Sequence, residues 1–204
     1  MTDNFALLRE PRRPWIDPDS LKEKFHALSA ETHPDRVHEA PEAERKAASL
    51  RFAEINAAYN CLSEPKERLR HLLELESGAK PAGIQRVPPE MMGSVFEVGR
   101  ICQEVDAFLT NKSAVTSPVL LVQWFERGQD WMDKLTALRQ KMNLRREELM
   151  AELQAMNALW ESAAAANASP VKLPLERLDE IYRLLGFLSR WSEQIQERVV
   201  ELSL

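Results

Sequence analysis

The sequence predicts an all-α protein in two parts: an N-terminal helical hairpin with an exposed loop, then a C-terminal antiparallel three-helix bundle. Three observations predict it. Glycine is scarce, at 6 of 204 residues. Almost no stretch alternates apolar and polar residues with the period of two that a half-buried strand needs. Apolar residues instead recur at three- and four-residue steps over most of the chain, the spacing that lines one face of an α-helix.

Taken in order, Asp17-Pro18 supplies an N-cap and a first-turn proline, and Leu21, Phe25 and Leu28 then form one apolar face up to a break at His33-Pro34. A second helix is predicted from Ala40-Pro41, carrying Leu50, Phe52, Ile55, Ala58, Tyr59 and Leu62 and ending near Ser63-Glu64-Pro65. A short third, with Leu69, Leu72 and Leu73, runs to Gly78, whose freedom at positive φ suits a helix C-terminus.

Residues 79–89, AKPAGIQRVPP, hold three prolines and a glycine with little periodicity, so the chain is predicted to divide into 1–78, a linker at 79–89, and 90–204. Beyond the linker, Met92, Val95, Val98, Cys102, Val105 and Leu109 share a seam. Ser117-Pro118 opens a second stripe with Leu121, Trp124, Phe125, Leu135, Leu138 and Met142, continuing through Leu149, Leu153, Met156 and Trp160. A third holds Leu178, Ile181, Leu185, Leu188, Ile195, Val199 and Leu202, after an alanine-rich segment, 163–168, that reads as a loop. Three such stripes bury their apolar faces only against each other, hence a bundle.

The charge balance, −5 with both signs mixed throughout, argues against a nucleic-acid binder, whose affinity rests on clustered Lys and Arg. The two cysteines, Cys61 and Cys102, have no metal or disulfide spacing, which suggests a reducing compartment. No basic leader precedes an apolar run, and the longest apolar stretch, near Val119 to Phe125, is far too short to span a bilayer. These readings predict a soluble, cytoplasmic protein.

The chemistry-bearing motif is His33-Pro34-Asp35. Pro34 disfavours helical geometry at His33, so the first helix stops and an imidazole and a carboxylate are displayed on a loop. By itself the tripeptide is an ordinary helix terminator. Its context is Leu21-x-x-x-Phe25-x-x-Leu28 before it and Arg51-Phe52-Ala53-Glu54-Ile55-Asn56-Ala57-Ala58-Tyr59, Leu62 and Pro65 after it. That constellation resembles the J-domain. The resemblance implies a DnaK-type chaperone partner whose ATP hydrolysis is stimulated, with Asp35 accepting a charge-assisted hydrogen bond from a chaperone arginine while His33 and Pro34 hold the loop. It implies supporting cationic contacts from Lys22, Lys24 and His26. Phe52 is either core, with Leu28, Ile55 and Tyr59, or a further chaperone contact. Ala27 and Glu31 stand where J-domains are often basic, which suggests a dedicated partner.

Asn4-Phe5-Ala6-Leu7-Leu8, His33-Pro34-Asp35-Arg36, Pro65-x-x-Arg68 and Leu72-Leu73-x-Leu75 are together similar to the HscB (Jac-type) iron-sulfur co-chaperones, as are Pro89-Glu90-Met91-Met92 and Leu184-Leu185-Gly186-Phe187-Leu188-Ser189-Arg190. That family joins a J-domain to a three-helix bundle and brings an IscU-type cluster scaffold to a DnaK/HscA-type chaperone. The matching scaffold-binding positions here are Met92, Phe96, Glu97, Glu104 and Phe187. Two departures are Arg100, where an acid is frequent, and a longer stretch from 110 to 168. A Met or Phe at helical spacing also suits a core, so exposure must distinguish the two roles.

Four histidines, His26, His33, His38 and His71, lack the paired Cys/His spacing of a structural zinc site, so no metal or cofactor is expected. An enzyme using His33 and Asp35 with Ser29 as nucleophile would need the three to converge beside an oxyanion hole, which residues flanking a proline on an open loop seldom do, so no catalysis is expected. The alternative reading is a general DnaJ-like co-chaperone whose bundle serves another client or a dimer contact.

Overall fold

The computed structural model describes residues 2–81, 87–111, 117–165 and 173–203, and among these there is no strand. The helices are α1 (Asn4–Leu7), α2 (Pro18–Thr32), α3 (Glu42–Ser63), α4 (Pro65–Ser77), α5 (Met92–Thr110), α6 (Pro118–Ala165) and α7 (Leu175–Ser203). Local chemistry places their ends. Asp3 caps α1 by accepting from the backbone N–H of Phe5 and Ala6. Asp17 caps α2 by accepting from Ser20 N at 2.9 Å, with Pro18 in the first turn. Gly78 ends α4 in the left-handed region, φ 71°, and returns its N–H to the Glu74 carbonyl.

By packing, the chain forms two compact units, one of Met1–Ala82 with Met150–Tyr182 and one of Gly83–Leu149 with Arg183–Leu204. This grouping differs from the division along the sequence at 79–89, because α6 and α7 each contribute to both units.

In the first unit, α2 and α3 lie against each other and bury Leu21, Leu28, Ile55, Ala58 and Leu62. Phe5 and Leu8 of the N-terminal arm are also fully buried. The buried guanidinium of Arg68 donates to the carbonyls of Leu62 at 2.5 Å and Pro14 at 2.9 Å, closing the end of α3 and anchoring the arm. Burial lowers its pKa to about 10, which still leaves it charged at neutral pH. His71 lies beneath α1, its Nε2 accepting from Asn4 N at 3.0 Å and its ring stacked on Phe5. The later residues join this unit through Asn157, whose side-chain amide accepts from Trp15 N at 3.1 Å and donates to Trp15 O at 2.9 Å. A carboxylate–guanidinium fork between Glu152 and Arg177 links α6 to α7 here.

The second unit is a three-helix bundle. Phe108 of α5 stacks on Trp124 of α6, Glu97 pairs with Lys141 and Glu90 with Arg145, so α5 and α6 run antiparallel. Arg139 of α6 bonds Gln196 of α7 at 3.1 Å, and Arg198 of α7 reaches Asp106 of α5 at 2.7 Å. The core holds Val98, Ile101, Val105, Leu135, Leu138, Leu149, Leu188 and Ile195. Gly128 is buried with the Phe108 ring 3.9 Å from where a Cβ would stand, an ordinary van der Waals distance.

Several expectations are corrected. Leu50, Leu121 and Phe125, assigned to apolar seams, are exposed. Helical spacing puts a residue on a face, but that face is buried only where a neighbouring element covers it. Residues 163–165, expected in a loop, continue α6, in keeping with alanine's high helix propensity, while 166–168 and the linker residues 82–86 lie outside the described residues.

Candidate functional site

The His33-Pro34-Asp35 segment is a structured turn. His33 leaves α2 with φ −59° and ψ 130°, the extended geometry a following proline favours, and Pro34–Val37 make one turn of 3₁₀ helix. The imidazole Nδ1 accepts from Asp35 N at 3.3 Å, and Arg36 N donates to the His33 carbonyl at 3.1 Å. Arg36 also reaches back to the Ala30 carbonyl near the end of α2, and His38 Nδ1 meets the Asp35 carbonyl at 2.9 Å. From α3, Phe52 meets the His33 ring edge to face, centroids 5.3 Å apart at 79°. These contacts hold backbone and imidazole still while the Asp35 side chain stands 88% exposed. Its Oδ2 is 3.5 Å from His33 Nδ1, an ionic contact only when the ring is protonated. A fixed, solvated carboxylate of this kind is built to receive a cationic donor from another molecule.

The basic side chains of α2 separate. Lys22 and His26 are both exposed and share one flank of the helix. Lys24 points along the opposite flank, where its Nζ is 2.6 Å from Glu10 Oε1. Phe52 is half-buried, so it is neither full core nor free surface, and Phe25 stacks on Tyr59 at 4.1 Å behind it. Glu10 had no signature in the sequence, being one acid among the arginines of the arm.

On α5, Met92 is exposed and Phe96 is 69% exposed. With Gly99 and Gln103 they fall within roughly 60° of one another around the helix, forming one outward stripe. Glu97 and Glu104 both lie to one side of it, roughly 80–100° round the helix from Phe96, Glu97 paired with Lys141 and Glu104 with Arg100 at 3.0 Å. Phe187 is not part of that surface. It is only 8% exposed, tilted against Trp191 with the Arg190 guanidinium 4.8 Å from its ring centre. The expected exposed anchor is thus a buried side chain, because its position on α7 turns toward the bundle interior.

Residues 12–71 match the DnaJ domain family. The co-chaperone protein HscB homolog of Cupriavidus taiwanensis is 26% identical over 184 residues, covering 87% of this chain and 89% of that one. The homologs from Azoarcus sp. and Bordetella pertussis are 36% and 40% identical over 73 and 72 residues, 41% and 42% of their lengths. Residues 12–71 are thus a J-domain, and along its length the chain is similar to HscB-type co-chaperones. Its fold agrees along the whole length with chaperone HscB from Vibrio cholerae, at TM-score 0.63, 21% identity and 96% coverage of both chains. Human co-chaperone protein HscB gives TM-score 0.66 at 16% identity, covering 96% of this chain and 81% of that one. HscB-type co-chaperones are not an enzyme family, and a J-domain of this type works with an Hsp70-class chaperone. Among the described residues no helix is long and apolar enough to cross a membrane, and no group of three His, Cys, Asp or Glu side chains is placed to hold a metal ion.

Proposed function

We propose that this HscB-type chain stimulates ATP hydrolysis by a DnaK/HscA-type chaperone and delivers to it an IscU-type scaffold for iron-sulfur cluster assembly. The observation that carries the reading is the His33-Pro34-Asp35 turn. Its backbone is tied by three hydrogen bonds and the Arg36 side chain adds a fourth to Ala30, Phe52 braces its imidazole, and its carboxylate faces solvent. Asp35 receives a chaperone arginine, His33 and Pro34 keep the carboxylate oriented, and Lys22 and His26 steer the approach. The scaffold would meet the α5 stripe, with Met92 and Phe96 as apolar anchors and the paired Glu97 and Glu104 as its rim.

The chain performs no catalysis of its own in this reading. Two free cysteines, Cys61 and Cys102, fit a reducing cytoplasm.

The test is single-turnover ATP hydrolysis by a purified DnaK-class chaperone. Asp35→Asn should abolish stimulation while leaving the melting temperature within about 1 °C, because exposed polar side chains contribute little to stability. Parental stimulation by Asp35→Asn would sink the co-chaperone reading. Titration calorimetry with the scaffold tests delivery separately, and absence of binding would favour a general J-protein with another client.

A further inference from the structure

The N-terminal arm grips α2 through two ion pairs that the chaperone contact does not itself require. Arg9 adopts φ 55°, a left-handed conformation that costs a side-chain-bearing residue about 1 kcal/mol. Its N–H bonds the Ala6 carbonyl at 3.2 Å and the Glu10 N–H bonds the Phe5 carbonyl at 2.9 Å, so the turn that ends α1 is closed by two hydrogen bonds. The result is that consecutive side chains both reach charged partners. Arg9 pairs with Glu31 at 3.1 Å. Glu10, its side chain wholly buried, takes Lys24 at 2.6 Å on one oxygen and Arg13 at 3.1 Å on the other.

A buried carboxylate cannot remain unpaired, so Glu10 holds Lys24 firmly. Seen along α2, Lys24 and Glu31 lie on the flank that meets the arm, while Lys22 and His26 lie on the other. With the Glu10 carboxylate 2.6 Å from its ammonium, though shared with Arg13, Lys24 adds less to the field that steers a partner than Lys22 does, and the charge left over in this cluster lies toward the arm.

We propose that Glu10 is a selectivity determinant for the chaperone: by taking Lys24 out of the charge pattern of α2, it restricts the pattern a partner must match to Lys22 and His26. Glu10 is a positioning residue in this role, acting through Lys24 and touching nothing on the partner. The inference rests on the co-chaperone reading, and it explains how a helix with three basic residues presents only two of them.

The full chain and a DnaK-class chaperone suffice to test it. The half-saturating co-chaperone concentration for stimulated single-turnover hydrolysis is measured at low and high salt. Glu10→Met, an apolar replacement of similar length, releases Lys24. It should lower the half-saturating concentration about threefold at low salt and steepen its salt dependence, and Glu10→Met/Lys24→Met should cancel both effects. A purely structural role for Glu10 would not steepen the salt dependence, nor would removing Lys24 restore it. With Glu10 intact, Lys22→Met should raise the half-saturating concentration about threefold and Lys24→Met should change it less than twofold. If Glu10→Met fails to fold, that second comparison decides. Equal losses from Lys22→Met and Lys24→Met, or a Glu10→Met that folds but gains nothing, overturn the inference. An unmodified chain that does not stimulate overturns the co-chaperone reading instead.

Discussion

Replacing Phe52 by alanine separates two roles that the sequence left merged. A fully buried phenylalanine costs roughly 3 to 5 kcal/mol when truncated, enough to unfold a domain of ordinary stability. The Phe52 ring, however, is half-buried. Its main specific contact is the edge-to-face approach to His33 at 5.3 Å. Half the burial scales the cost to about 2 kcal/mol, within which the aromatic pair accounts for roughly 0.5 to 1 kcal/mol. For a chain of this size that corresponds to a melting shift of roughly 4 to 8 °C, with the transition still cooperative. The functional loss should be disproportionate, because the imidazole that accepts from Asp35 N loses its brace. Stimulated ATP hydrolysis at a fixed, sub-saturating concentration should fall about tenfold, and Phe52→Leu, which restores bulk without the aromatic face, should recover stability more fully than stimulation. Calorimetric unfolding and single-turnover hydrolysis on the same preparations check both parts. Collapse of the fold, or parental stimulation by a stably folded Phe52→Ala, would refute the reasoning.

The buried His71 makes stability depend on pH. Its Nε2 accepts from Asn4 N, which only the unprotonated nitrogen can do, and burial holds its pKa below the ordinary 6.5. Between 6.5 and that lowered value the unfolded chain binds more protons than the folded one, so its contribution is complete above 6.5 and is lost as pH falls through the window. His71→Gln should therefore show a smaller drop in denaturation midpoint between about pH 7.5 and about pH 5.5 than the parent, and an equal drop would exclude His71 as the cause. On the bundle, Phe187→Ala should destabilise by about 3 kcal/mol or more because the ring is buried. Phe96→Ala should leave the melt nearly unchanged and weaken scaffold binding by about 2 kcal/mol, roughly thirtyfold. Thermal unfolding and titration calorimetry distinguish the two, and the reverse pattern would show that Phe187, not Phe96, is the exposed anchor.

What could be read from the sequence is what short-range chemistry controls. Asp17-Pro18 starts α2 because a carboxylate cap and a proline's fixed φ act within one turn, and His33-Pro34 ends it for the same local reason. Gly78 terminates α4 because its left-handed conformation is open to glycine. Pro65-x-x-Arg68 was legible as a family pattern, and its physical role, a buried guanidinium capping the α3 carbonyl end, involves Leu62 only six residues away. The turn around Asp35 belongs to this class, since its hydrogen bonds run between residues 30 and 38. Tertiary structure alone decided the matters that depend on distant partners. Periodicity groups Leu121 and Phe125 with buried residues but cannot say that they stand exposed, and it offers Phe187 as an anchor although the bundle encloses it. Lys24 reads as one more free cation until Glu10, fourteen residues earlier, is seen to bind it. Asn157 is an ordinary helix residue until its amide meets Trp15 across 142 residues of chain. A helix's own period orders its faces, but the side chains that bury, pair or expose them are brought there by parts of the chain that the local sequence does not contain.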